Sequence, residues 1–136
     1  MMTIKTLCII LLLATGFIAC KKENEKKVIP HDRLLGKWRL DSTVVNDYYS
    51  GAPHKQIFTW SAEDYLDFRN NGKIYTNESR SYDTIPFGII SDFKIWIDTP
   101  GDIFDIKLLT ETSLELYIKY LHGPEDYSES TVSLKR

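Results

Sequence analysis

The sequence predicts an all-β chain, a small antiparallel up-and-down barrel of about eight strands, preceded by an N-terminal signal helix and a flexible tether. Three observations carry this. From Arg33 onward, apolar and polar residues alternate with period two, the spacing of a strand with one buried side. Turn residues recur at short, regular intervals, which suggests a sandwich or a closed barrel. The one long apolar run, residues 7–19, falls outside this pattern and marks a leader, not a part of the domain.

The strands follow in order. Trp38, Leu40 and Val44 alternate with Lys37, Arg39 and Asp41. Residues 46–53 carry Asn, Asp, Ser, Gly and Pro, and read as a long loop suited to lie over one end as a lid. Ser61 is a candidate N-cap for a short helical turn over residues 61–64. Leu66 and Phe68 alternate with Tyr65, Asp67 and Arg69, and Asn70-Asn71-Gly72 supplies hairpin chemistry before the next strand. Phe93, Ile95 and Ile97 face one way, and Pro100-Gly101 turns the chain with Gly101 left-handed. Phe104, Ile106 and Leu108 form the next face, and Thr110-Glu111-Thr112 turns again. Leu114, Leu116, Ile118 and Tyr120 then share a face, and after Gly123-Pro124-Glu125-Asp126 the last strand turns Val132 and Leu134 inward.

The N-terminus carries its own chemistry. Lys5, the apolar run, and Ala19 before Cys20 resemble a bacterial lipoprotein signal, with Phe17-Ile18-Ala19-Cys20 as the lipobox. The run is shorter than the roughly 20 residues a membrane helix needs. An ordinary signal peptide cut near Ala19, with Cys20 incidental, is the competing reading. The resemblance implies a signal peptide over residues 1–19, an acylated Cys20, and a polar tether over residues 20–32 that leads into a domain of residues 33–136. A dozen extended residues reach roughly 40 Å. Cys8 and Cys20 are the two cysteines of the chain, so the domain has no disulfide and is stabilised by burial alone. Lys21 after the cysteine points to the outer membrane, with the leaflet open.

Composition narrows the function classes. Residues 33–136 hold 12 Lys+Arg against 16 Asp+Glu, with no basic stripe, which argues against nucleic acid as a partner. His31, His54 and His122 lie near Pro or Gly in polar segments without metal-ligand spacing. No phosphate loop, dinucleotide fingerprint or Gly-x-Ser-x-Gly elbow is present. The expectation is a non-enzyme without cofactor or metal. Asp67, Asp105 and Glu115 are expected to solvate the outer face, and Phe58, Trp60, Tyr75, Trp96 and Tyr117 are candidates for cross-strand packing or a calyx mouth. Asp41-Ser42-Thr43 and Asp83-Thr84-Ile85 resemble the O-glycosylation acceptor of Bacteroidetes periplasmic proteins.

Leu35-Gly36-Lys37-Trp38 at the start of the first strand resembles the lipocalin superfamily. The later segments Tyr65-Leu66-Asp67-Phe68, Asn71-Gly72-Lys73, Phe104-Asp105-Ile106 and Ser113-Leu114-Glu115-Leu116 are similar to the short lipocalin-like domains of Bacteroidetes lipoproteins. The resemblance implies that Trp38 plugs the closed end, with Arg136 or Lys135 as its cation–π partner. It also implies an interior lined by Trp38, Leu40, Phe68, Ile95, Phe104, Ile106, Leu116 and Ile118, open to a small apolar or amphipathic ligand. The central Thr-Asp-Tyr motif of lipocalins is absent, and the chain is short for that family. An accessory lipoprotein with a packed barrel, held to the membrane by its lipid and to an envelope protein partner by its surface, is the alternative. An envelope hydrolase is the third reading.

Overall fold

The computed structural model describes residues 31–136. Residues 1–30, which hold the expected signal peptide, Cys20 and most of the expected tether, lie outside the described residues. A one-turn helix α1 (His31–Leu34) precedes nine strands: β1 (Gly36–Tyr49), β2 (Ala52–Thr59), β3 (Tyr65–Phe68), β4 (Lys73–Glu78), β5 (Ser81–Ser91), β6 (Lys94–Ile97), β7 (Ile103–Leu109), β8 (Ser113–Leu121) and β9 (Tyr127–Lys135). His31 and Asp32, expected to end the tether, belong to α1. The helix is drawn in because the Trp38 indole N–H donates to the Leu34 carbonyl at 2.8 Å in a buried setting.

Every strand pairs antiparallel with its neighbours, in the order β2-β1-β3-β4-β5-β6-β7-β8-β9, and β1 pairs again with β9. Eight strands thus close into a barrel, as the alternation predicts, with β2 as an additional strand on β1. β1 serves two neighbours on one edge: residues 36–39 pair with β3 and residues 42–49 pair with β2. Its other edge pairs with β9 from Arg39 to Tyr48. The up-and-down course puts α1, the C-terminal Arg136 and the turns at Asn71-Gly72, Asp92-Phe93 and Glu111-Thr112 at one end of the barrel. The turns at Ser50-Gly51, Ser79-Arg80, Pro100-Gly101 and Pro124-Glu125 lie at the other.

Several local expectations are corrected. Residues 46–53 are not a lid; they are the tip of the β1–β2 hairpin, turned by Ser50 (φ 52°) and Gly51 (φ 77°). Two successive left-handed residues match the twist of a two-residue hairpin. The left-handed residue near Pro100 is Asp98 (φ 69°), not Gly101. Residues 61–64 make a turn, not a helix, although the Ser61 hydroxyl does accept the Glu63 N–H at 3.3 Å. The register shifts at three bulges, in β1, β5 and β7, and one extra residue exchanges the faces beyond it. In β1 the shift between Leu40 and Ser42 pairs Thr43 with Val132 on the inner face and sends Val44 outward beside Ile57. In β7 the shift between Ile106 and Leu108 turns Leu109 inward and leaves Leu108 exposed.

The core fills the end where α1 and the C-terminal Arg136 meet. Trp38, Phe68, Ile74, Ile95, Leu114, Leu116 and Leu134 are almost completely buried, and Phe68 meets Phe87 edge-on at 5.2 Å. Arg136 closes this end: its guanidinium lies 3.9 Å from the Trp38 ring centre and donates to the carbonyls of Arg33 and Leu35. Arg136, and not Lys135, takes this place, since Lys135 pairs with Asp41 at 2.8 Å. A forked cation can stack on an indole and hold two carbonyls at once. On the outer wall, Trp96 lies flat across Gly88, its cross-strand partner. A Cβ at Gly88 would stand 2.2 Å from the indole nitrogen.

Two substitutions test this packing. Arg136→Ala is expected to lower unfolding stability by about 1 kcal/mol in urea titration, with Arg136→Lys restoring less than half. Gly88→Ala is expected to cost about 1–3 kcal/mol by overpacking and to red-shift tryptophan emission as Trp96 is displaced. The second effect should vanish in a Trp96→Ala background.

Candidate functional site

The eight residues expected to line a ligand chamber all face inward, but seven of them pack into one cluster. Trp38, Leu40, Phe68, Ile95, Ile106 and Leu116 belong to one buried cluster, and half-buried Phe104 packs against it. Ile118 is 5 % exposed. The void that touches Ile95 and Ile106 measures about 10 Å³, room for about one water.

Toward the other end the inner face changes character. Along β9 it runs Leu134, Val132, Ser130, Ser128, and along β4 it runs Ile74, Thr76, Glu78. On β5 it runs Ile85, Asp83, Ser81, opposite the β4 set in register. The upper interior is therefore polar, and two adjoining concavities lie at its rim. One of about 330 Å³ is lined by Trp60, Thr76, Glu78, Ser79, Ser81, Asp83 and Ile85. A larger cleft of about 750 Å³ adjoins it at Trp60 and Ser79, and runs between Phe58 and Thr59 of β2, the turn of residues 61–64, and Ser79-Arg80.

Asp64 builds this cleft. It is 3 % exposed, and its two oxygens accept the N–H groups of Ser61 and Ser79, both at 2.7 Å. One carboxylate thereby ties the turn after β2 to the β4–β5 turn. Burial works to raise its pKa, but the backbone donors at Ser61 and Ser79 and the Ser61 hydroxyl outweigh burial and hold it below the usual value. Ser79 (φ 53°) and Arg80 (φ 68°) are both left-handed without being glycine, a conformation costing roughly 1–2 kcal/mol each. Such strain persists only where surrounding contacts impose it. Asn77 adds a further tie, donating to the Glu63 carbonyl at 2.9 Å, while its Oδ1 is buried without a partner. Trp60 is fixed from the other side, its indole N–H donating to Thr43 at 2.9 Å.

Charges around the cleft are unevenly satisfied. Glu78 has its pKa raised, first by burial and then by the nearby Asp64 and Asp83. Among the described residues Arg80, Lys55 and Glu63 make no ion pair. The outer wall is neutralised more fully. Asp105 sits between Lys94 and Lys107, whose hydrogen bonds lower its pKa. Burial, then the Glu129 carboxylate at 2.9 Å, pushes the Tyr117 hydroxyl up to about 12. Asp67, expected to face solvent, is 7 % exposed and paired with Arg69 at 2.5 Å.

For bond-breaking chemistry the described residues provide little. No group of three metal-ligating side chains occurs among them. His122 and Ser128 touch at 2.7 Å on the rim, with Tyr49 stacked on the imidazole. No carboxylate holds the second ring nitrogen among the described residues, so this pair lacks the orienting group of a catalytic triad. Sequence reading missed Asp64, Arg80 and the cleft, since a turn capped across 15 residues leaves no periodic signal. No protein-family model, curated protein or solved structure matches this chain.

The depressed Asp64 pKa fixes the sign of a pH effect. A folded-state pKa below the unfolded 3.8 stabilises the fold above that pH, and the gain is lost as pH falls through the folded value. Asp64→Asn should therefore be less stable than wild type at pH 7, with the difference shrinking below about pH 4 in chemical denaturation. A difference that stays constant from pH 7 to 2.5 would contradict the ionised cap.

Proposed function

We propose that this protein is a lipid-anchored envelope lipoprotein with a lipocalin-like barrel, non-enzymatic, that acts as a rigid scaffold for binding a protein partner at its open end. The observation that carries the reading is the change along the inner face: packed and apolar where α1 and Arg136 meet, polar and open at the far rim. A closed eight-stranded barrel has an interior only just wide enough for side chains to fill. An apolar guest would have to displace a close-packed core, at several kcal/mol.

Acylation at Cys20 suits this arrangement. α1 leads the chain into the packed end through Leu34, so the anchored segment joins the domain opposite the open rim. Two or three acyl chains on one cysteine provide stable attachment where one chain is marginal. The outer membrane is the proposed location. Binding of a small amphipathic ligand is the second reading, favoured by Trp60 and Ile85 on the wall of the 330 Å³ concavity.

Palmitate labelling in cells should mark the wild-type chain and not Cys20→Ala, and the variant should move from the membrane to the soluble envelope fraction. Titration of the purified full chain with a fluorescent fatty acid should show no saturable binding. Saturable binding lost in Trp60→Ala would transfer the function to the second reading.

A further inference from the structure

The outer face of β3, β4 and β5 carries a tyrosine on each of three adjacent strands. Tyr65 of β3 and Tyr82 of β5 both pair with Asn77 of β4, and so flank it in one row. Their backbones lie two strand spacings apart, about 9–10 Å. Tyr75, two residues before Asn77, shares that face, with Asp67 opposite it on one side and Thr84 on the other. Two open concavities, of about 440 and 320 Å³, lie along this face and have Tyr65 and Tyr75 in common. The first continues to Asp67, Arg69, Asn70 and Asn71, the second to Tyr82, Asp83 and Thr84.

Cross-strand packing does not account for these rings. Each stands opposite polar residues, so the aromatic pairs that stabilise sheets are missing from this face. Elsewhere on the outer wall the tyrosines are occupied: Tyr48 stacks on Tyr127 at 4.3 Å, and Tyr117 bonds Glu129 at 2.9 Å. Tyr75 and Tyr82 have no ring or cation partner among the described residues. They are 41 % and 76 % exposed. A tyrosine ring so placed offers a large, rigid contact surface that loses little entropy on binding.

We propose that this face binds a neutral oligosaccharide, laid across β3, β4 and β5 over the rings of Tyr75 and Tyr82. A sugar ring is apolar on its C–H faces and carries hydroxyls around its edge. It is therefore matched by flat aromatic surface bordered by hydrogen-bonding groups. The alternation of tyrosine with Asp67, Asn71 and Thr84 supplies both. Rings spread over two strand spacings suit a chain of sugars better than a single one. Charge separates this occupant from others that also stack on tyrosine. Among the described residues Arg69 is the one cation lining the two concavities, and it is paired with Asp67 at 2.5 Å. Lys37, the nearest cation of β1, lies on the Tyr65 ring at 3.7 Å. A nucleic-acid strand needs free cations along its phosphates and would meet Asp83 instead. Sugar hydroxyls need no net charge. The site lies on the outer wall and does not depend on a partner at the open end.

The test titrates the purified full chain, in a zwitterionic detergent free of sugar, with cellohexaose, xylohexaose, mannohexaose and maltohexaose by calorimetry. At least one should bind saturably at millimolar concentration or below, and more tightly than its disaccharide. Tyr82→Ala, a change at an exposed ring, should weaken that binding at least about fivefold with the circular dichroism unchanged. Tyr82→Phe keeps the stacking surface and should stay within about twofold of wild type, as should Asp83→Asn. Amide shifts in nuclear magnetic resonance should fall in residues 65–67, 75–77 and 82–84. Binding of none of the four sugars, no loss in Tyr82→Ala, or shifts confined to Trp60 and Ser81 inside the rim would overturn the outer-wall site. A loss in Asp83→Asn as large as that in Tyr82→Ala would make the ligand a cation and overturn neutrality. Tighter binding of polyuridylate or of a proline-rich peptide than of every sugar would give the face to a base-stacked strand or an extended peptide instead, and overturn the proposal.

Discussion

The whole molecule depends on β1 being hydrogen-bonded along both edges. In an antiparallel barrel one strand must meet the last, and β1 does so over most of its fourteen residues. Its other edge is shared between β3 and β2, with a bulge near Asp41 where the neighbours change. The freed groups are taken up locally: Leu40 N–H donates to the Asp64 carbonyl at 2.9 Å, and the Asp41 carbonyl accepts the Trp60 N–H at 3.4 Å. Bending there lets the lower half of β1 curve around Trp38 while the upper half runs out with β2 and β9.

From that constraint the two ends of the barrel acquire different characters. Below the bulge, Trp38 is enclosed by α1, Arg136 and the apolar inner positions of β3, β8 and β9, so close packing excludes water. Above it, Ser, Thr and carboxylate side chains occupy the inner positions, and the wall on one side ends in the free edge of β2. The cleft is thus a consequence of strand lengths as much as of side chains. Four-residue β3 cannot accompany β1 to its end, and β2 returns without acquiring a second neighbour among the described residues.

Asp64 reconciles this break with a stable fold. A short buried carboxylate with backbone donors on both oxygens can hold two turns that share no strand pairing. It keeps Ser79 and Arg80 in a left-handed turn that a glycine would adopt at lower cost, which places the Arg80 guanidinium at the cleft instead of a bare backbone. Rigidity at the base of the cleft thus originates in this side chain, whereas the openness at its β2 wall follows from strand pairing.

Much of the fold was legible because alternation with period two is a direct consequence of a one-sided sheet. Leu114, Leu116 and Ile118 on β8, and Val132 and Leu134 on β9, face inward as their spacing requires. Hairpins at Asn71-Gly72 and Pro124-Glu125 stand where turn chemistry puts them. The sequence by itself thus determined strand faces and most turns, and the resemblance carried by Gly36-Lys37-Trp38 implied the residue that plugs one end. Tertiary structure decided what depends on contacts remote in the chain: the bulges that exchange Val44 and Leu108 to the outer face, the choice of Arg136 over Lys135 on Trp38, and the capping of two turns by Asp64. It also decided that the inward residues fill the barrel rather than line a chamber. Inwardness is a local property of the pleat, whereas the volume left between facing side chains is set by barrel closure, which no single strand encodes.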